Sequence, residues 1–212
     1  MKKIMFNDKY GLTAAVLNGK KTMTRRIVKN ANLLQWLNEL DDDGAIRTIK
    51  GTILSEENSA YKVGEIVAVA MAYKEIRLNF AQYQDLTFKK KHVAQWGNTR
   101  SMKGWSNKMY VRADLMPHHI RITDIKAERL QDISEEDVYK EGFTHEFVNN
   151  NWGNSAYHEE TMLVYYDNKG LTKQIRSREP KEAFSFLIDK VSGNGTWERN
   201  PWVFVYTFEL ID

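Results

Sequence analysis

The chain is 212 residues long and carries 31 Lys and Arg against 28 Asp and Glu, a formal net charge of +3. So small an excess excludes the uniformly basic surface of a histone-like or ribosomal protein, and any electrostatic footprint must be local. The absence of Cys excludes disulfides, thiolate metal sites and a Cys nucleophile, and fits a reducing compartment.

The start, MKKIMFNDKY, is basic but lacks the apolar stretch of a signal peptide, and no run reaches the ~18 apolar residues of a membrane span. A soluble cytoplasmic protein that does not touch membranes is expected. The length suits one domain, residues 1–212, with insertions.

Asn7 or Asp8 can cap a short helix whose apolar positions Leu12, Ala15 and Val16 fall at helical spacing, with Gly19 as its stop. The ten residues Lys20 to Lys29 follow, with five cations, two hydroxyls and no acid. Most surfaces interleave charge signs because like charges repel. A one-sign cluster with two threonines suits an anion such as phosphate: Arg offers a planar fork, Lys a point charge and Thr a donor that also accepts. Lys20, Lys21, Thr22, Arg25 and Arg26 are the candidate anion-binding residues. A solvated basic turn is the bland alternative.

Leu40 to Ser59 is polar, contains Asp41-Asp42-Asp43-Gly44, and reads as an inserted excursion. The Asp run superficially resembles a calcium loop but lacks the later bidentate acid. Val63 to Ala70 is a buried strand entered through Gly64. Phe80 to Asn98 is mixed, a helix followed by a loop. Tyr110 to Ala113 reads as a short strand, and His118 to Ile125 as another, with Ile120, Ile122 and Ile125 apolar. Ser134 with Asp137 resembles a capping box, the early acids favour a helix N-terminus, and Gly142 ends that helix.

Phe143 to Ser177 is polar, aromatic and uneven, a second insertion. Pro180 opens a helix through Phe184, Leu187, Ile188 and Val191, and Gly193-Asn194-Gly195 stops it. Trp202 to Leu210 is the last strand. Strands separated by short helices, with no Gly-rich strand–turn–helix unit, predict an α+β barrel over a doubly wound sheet.

No metal or other cofactor is expected. His118 and His119 are adjacent and would face opposite sides of a strand. His92, His145 and His158 lack a ligand spacing. Trp96, Trp105, Trp152 and Trp197 fall in loop-like stretches and read as core or staple residues, one or two of them open to stacking on a base.

Several segments, in order, carry a family resemblance: Gly19-Lys20-Lys21-Thr22-Met23-Thr24-Arg25-Arg26; Tyr61-Lys62-Val63-Gly64-Glu65; Met116-Pro117 before Arg121-Ile122; Glu128 to Asp137; Glu141-Gly142; and Trp197-Glu198-Arg199-Asn200-Pro201-Trp202-Val203. With these the chain resembles the ASCH-domain proteins of the PUA-like superfamily, of the bacteriophage and prophage type. One departure is Met71-Ala72-Tyr73, where phage members usually carry an acid and a Trp.

The resemblance implies a PUA-like, partly open β-barrel with short flanking helices and two insertions, near residues 40–59 and 143–178. It implies a cleft facing the basic segment that takes RNA, a nucleotide or a modified nucleoside. It also implies an alternative, an amidohydrolase. Small bacterial ASCH proteins remove the acetyl group of N4-acetylcytidine with a Lys, a Thr and a Glu, which match Lys21, Thr24 and Glu141 here.

Those residues suit the chemistry. Lys21 and Thr24 are three apart, so one turn would bring them together. A desolvated Lys beside Arg25 and Arg26 would be poised to lose its proton and take that of the Thr24 hydroxyl, with Glu141 orienting it. The bland readings are a Thr24 turn cap, a Lys21 on phosphate and an exposed Glu141 at a helix end. A third reading is a phage structural or assembly factor that binds a protein partner.

Overall fold

A computed structural model of the chain describes residues 1–42, 58–78, 103–149, 157–166 and 171–211. The expectation for Phe80 to Asn98 lies outside those residues, as does most of the Leu40–Ser59 excursion. The class is α+β. The chain divides into two compact units, one of residues 1–6, 65–121 and 210–212, the other of residues 7–64 and 122–209. No helix among the described residues is long and apolar enough to cross a membrane.

In the first unit, β1 (Lys3–Ile4) pairs in parallel with β3 (Ile66–Val69), which pairs antiparallel with the start of β4 (His119–Arg129) through Ile66 with Arg121 and Ala68 with His119. Strand β3 reads as a run of small and β-branched residues because Val67, Ala68 and Val69 are wholly buried. Helix α3 (Tyr73–Leu78) follows, its Glu75 carboxylate accepting from the Ala72 N–H at 3.2 Å. The expected strand at Tyr110–Ala113 is instead two 3-10 turns, Lys108–Tyr110 and Ala113–Leu115. The Lys3 ammonium takes the Met109 and Val111 carbonyls, each at 2.6 Å, which a strand would have given to a neighbour.

In the second unit, Asn7 caps a 3-10 turn (Asp8–Tyr10) by accepting from the Lys9 N–H, Gly11 turns the chain at φ +66°, and α1 runs over Leu12–Leu17. Strand β2 (Met23–Ile27) pairs antiparallel with β8 (Trp202–Leu210), which lies between β2 and β4. Between β2 and the excursion lies α2 (Ala31–Asp42), which turns Leu33 and Leu37 inward. The N-cap half of the expected capping box forms, the Ser134 hydroxyl accepting from the Asp137 N–H at 3.1 Å at the start of α4 (Glu135–Lys140), while the Asp137 carboxylate turns to Arg25 and Lys140.

The segment expected as a second insertion holds an antiparallel three-stranded sheet, β5 (Thr144–Asn149), β6 (Tyr157–Tyr166) and β7 (Thr172–Ser177). Tyr165 of that sheet meets Tyr10 edge-on at 5.1 Å. Helix α5 (Pro180–Ser192) starts with its Pro in the first turn and buries Phe184, which lies between Phe143 and Trp197. Four residues, Thr196–Arg199, form α6, stitched to α5 because Asp189 accepts backbone N–H groups of Gly195 and Trp197.

Candidate functional site

The basic segment becomes β2, and a strand sends successive side chains to opposite faces. Its cations therefore divide by parity. Thr24 lies opposite Tyr206 and Arg26 opposite Phe204, on one face. Met23 and Arg25, opposite Thr207 and Val205, point to the other. The turn expected to bring Lys21 and Thr24 together is thus absent, because the segment is extended rather than helical.

The odd face is a closed charge network. Lys20 and Lys21 both donate their N–H to the Ala15 carbonyl at the end of α1, and the Thr22 N–H donates to the Lys140 carbonyl of α4, so Lys21 bridges to Glu141. Gly142, at φ +106°, makes the approach tight: a Cβ there would lie 3.4 Å from the Cβ atoms of Ala15 and Lys21. Lys21 is 2 % exposed. Its ammonium donates to the Glu141 carbonyl at 3.0 Å and to the Glu141 carboxylate. Burial pushes the Lys21 pKa down; the Glu141 charge opposes that, and the Arg26 and Arg25 charges add to it.

Arg25, whose side chain is 1 % exposed, uses every donor it has. Its Nε donates to Glu128 at 3.0 Å; Nη1 to Glu141 at 3.1 Å and the Met23 sulfur at 3.4 Å; Nη2 to Glu128 at 2.8 Å and Asp137 at 3.0 Å. The guanidinium carbon lies 5.9 Å from the centre of the Phe184 ring. Lys126 adds a cation, 2.8 Å from Glu128 and 3.6 Å from Asp137.

Lys21, Arg25, Lys126 and, 3.4 Å from Asp137, Lys140 thus face Glu128, Asp137 and Glu141, so each carboxylate meets at least two cations. Burial alone would lower the Arg25 pKa, but Glu141 and Glu128 outweigh it and raise it. Burial alone would raise the Asp137 pKa, but Arg25 and Lys126 hold it below its ordinary value. An Arg so engaged has no N–H left for an outside phosphate, and neither Lys21 nor Arg25 presents charge to solvent.

The even face has another character. Thr22, Thr24 and Arg26 lie along it beside Tyr206 and Phe204, and Tyr61 meets Tyr206 edge-on at 5.2 Å. The Tyr206 hydroxyl accepts from the Ala60 N–H at 3.2 Å, and the buried Ser59 hydroxyl donates to the Tyr61 carbonyl. Thr24 is 5 % exposed, and its hydroxyl hydrogen-bonds to none of the described residues. Arg26 is half-buried, and burial pushes its pKa down against the opposing influence of Tyr61, Glu141 and Tyr206. Lys20 and Lys29 are exposed.

Of the residues singled out from sequence, Lys21 and Glu141 meet directly, Arg25 joins them, and Thr24 lies with Arg26 across the strand. Sequence reasoning placed none of Glu128, Asp137, Tyr61 or Tyr206 in the site. The signal was an Arg with the parity of Met23, since a cation sharing a face with a core residue needs internal carboxylates. Among the described residues no group of three His, Asp or Glu is arranged to hold a metal. Comparison with family models, curated proteins and solved structures returns no match to this chain.

Proposed function

We propose that the chain is an ASCH-type, PUA-like protein whose β2 face of Thr22, Thr24 and Arg26 binds a nucleoside, free or within RNA. The observation that carries this reading is a Thr24 hydroxyl that bonds to none of the described residues, on the strand face it shares with Arg26 and next to the Tyr61–Tyr206 pair. A hydroxyl can give and take a hydrogen bond on a base edge or sugar, a guanidinium matches a carbonyl or phosphate oxygen, and aromatic side chains accept a flat base. The odd face then serves as the rigid backing of the strand.

Calorimetric titration with cytidine and N4-acetylcytidine tests this. Thr24→Val keeps the shape and removes one hydrogen bond, so affinity should fall about 2- to 10-fold; Arg26→Met removes a charged one and should cost about tenfold or more. Lys29→Ala, an exposed cation off the strand, is the control. Unchanged binding in both β2 variants would sink the assignment of this face.

A second reading is favoured by one observation, the buried Lys21 amine in contact with Glu141 and pushed toward its neutral form. A neutral amine can take the Thr24 proton as its oxygen attacks an acyl carbonyl, and return it to the leaving cytidine amine; water then frees the acyl group from Thr24. That amidohydrolase route needs Lys21 and Thr24 on speaking terms across the strand, and the two share no hydrogen bond. Binding without turnover is the expected outcome. Release of acetate from N4-acetylcytidine, lost in both Thr24→Val and Lys21→Met, would replace the first reading with the second.

A further inference from the structure

The unit of residues 1–6, 65–121 and 210–212 carries a surface of its own, built from the three 3-10 turns Lys103–Trp105, Lys108–Tyr110 and Ala113–Leu115. Tyr110 is 54 % and Met109 56 % exposed, and the Lys103 ammonium lies 5.7 Å from the centre of the Tyr110 ring. Large apolar side chains presented this fully need a reason when they are neighbours and one of them has a cation over its ring.

The turns are pinned from beneath. Lys3 holds the Met109 and Val111 carbonyls, Lys108 holds the Phe6 carbonyl, and the Arg112 N–H donates to the buried Tyr73 hydroxyl at 2.9 Å. Gly104 lies against the Tyr73 ring so closely that a Cβ would come within 2.6 Å of it. Backbone carbonyls and a buried ring thus fix the position from which Tyr110 projects, while its own ring stays uncovered.

We propose that this surface is a docking platform for single-stranded nucleic acid, with an unpaired base stacked on Tyr110 and Lys103 on the adjoining phosphate. Three features favour that partner. The face presents the exposed Tyr110 ring, and every base has a π-face to match it. Its charge is positive, since residues 103–115 hold Lys103, Lys108 and Arg112 against Asp114 alone, and Asp114 is ion-paired with Arg112. Its apolar area, two side chains, is too small to enter a lipid interface. A duplex keeps its bases stacked internally and offers the ring nothing, so the strand must be single. Lys103 needs only to swing from the ring, a cation–π contact worth about 0.5–1 kcal/mol at an exposed site. The platform is independent of the Thr24–Arg26 face, and either can fail alone.

The test is fluorescence anisotropy of the full chain with labelled ten-nucleotide oligouridylate and oligothymidylate at 50 mM salt. Tyr110→Ala should weaken binding at least about 5-fold, the low end for one stacked base. Tyr110→Phe should stay within about 2-fold of the parent, because the ring and not the hydroxyl carries the contact. Lys103→Ala should weaken binding and reduce the salt slope by about 0.7, the value for one phosphate on a single strand. Cytidine affinity at the β2 face should not change in any of the three. Oligonucleotide binding indifferent to Tyr110→Ala, or absent from the parent, overturns the proposal. So does a Tyr110 dependence that is as large with polyglutamate or phosphatidylserine vesicles.

Discussion

Arg25→Met is the sharpest probe of the odd face of β2. The side chain gives donors to three carboxylates and a thioether, and its replacement keeps an unbranched apolar stem while removing the charge and the guanidinium contact with the Phe184 ring. Removing one partner of a buried ion pair typically costs about 3–5 kcal/mol, because the carboxylates left behind are desolvated and unpaired. Here each carboxylate retains another cation: Glu141 keeps Lys21, Glu128 keeps Lys126, and Asp137 keeps Lys126 and Lys140. The loss should therefore fall at the low end, about 3 kcal/mol. For a chain of this size that corresponds to a fall in Tm of roughly 6–12 °C. Circular dichroism melts of the parent, Arg25→Met and Arg25→Lys would read it. Lys cannot reproduce the planar fork, so it should recover less than half of the loss. An Arg25→Met variant within about 2 °C of the parent would refute the view that this network holds β2 to α4.

Further outcomes follow from the same contacts. The Asp137 pKa is held below 3.8 in the folded state, so its contribution is present above that pH and lost as pH falls through the lower folded value; Asp137→Asn should flatten the acid limb of a stability–pH profile below about pH 4. Gly142→Ala adds a Cβ at a positive φ, 3.4 Å from Lys21 and Ala15; a cost of about 1–3 kcal/mol is expected in urea unfolding, and an unchanged midpoint would contradict the tight approach. If the even face binds RNA, Arg26→Ala should reduce the salt slope of affinity by about one unit. Arg25→Ala should leave that slope alone, because its donors all point inward.

The elements legible from sequence were those with local punctuation. Ser134 and Asp137 announce α4, Pro180 and Gly193 bracket α5, and the aromatic run from Trp202 gives β8 its length. Elsewhere tertiary partners overrode local pattern. Tyr110 to Ala113 has strand composition, but Lys3, more than a hundred residues away, takes the carbonyls of Val111 and of the preceding Met109. The strands β5 to β7 lie in a polar stretch whose alternation is interrupted by residues such as Glu159 and Glu160, and their antiparallel register emerges only on pairing.

The candidate site was half legible for a related reason. A run of five cations looks like one electrostatic object when read along the chain, and the pairing of Lys21 with Glu141 across the fold required a partner chosen by resemblance. What composition hides is parity. Two adjacent arginines on a strand meet opposite environments, and each environment dictates a different use. Arg25 is surrounded by Glu128, Asp137 and Glu141, so its charge is neutralised internally and stiffens the strand. Arg26, one residue on, faces phenol rings and a hydroxyl that bonds to none of the described residues. If the even face binds a ligand, Arg26 and not Arg25 is the strand cation that the ligand would meet, because the donors of Arg25 are all taken by groups behind the strand. The acid network therefore sets how much cationic charge β2 can offer a ligand: of its two arginines, Arg25 is neutralised behind the strand. A partner contacting β2 with one or two phosphates, or a neutral nucleoside, matches that charge better than a long polyanion does.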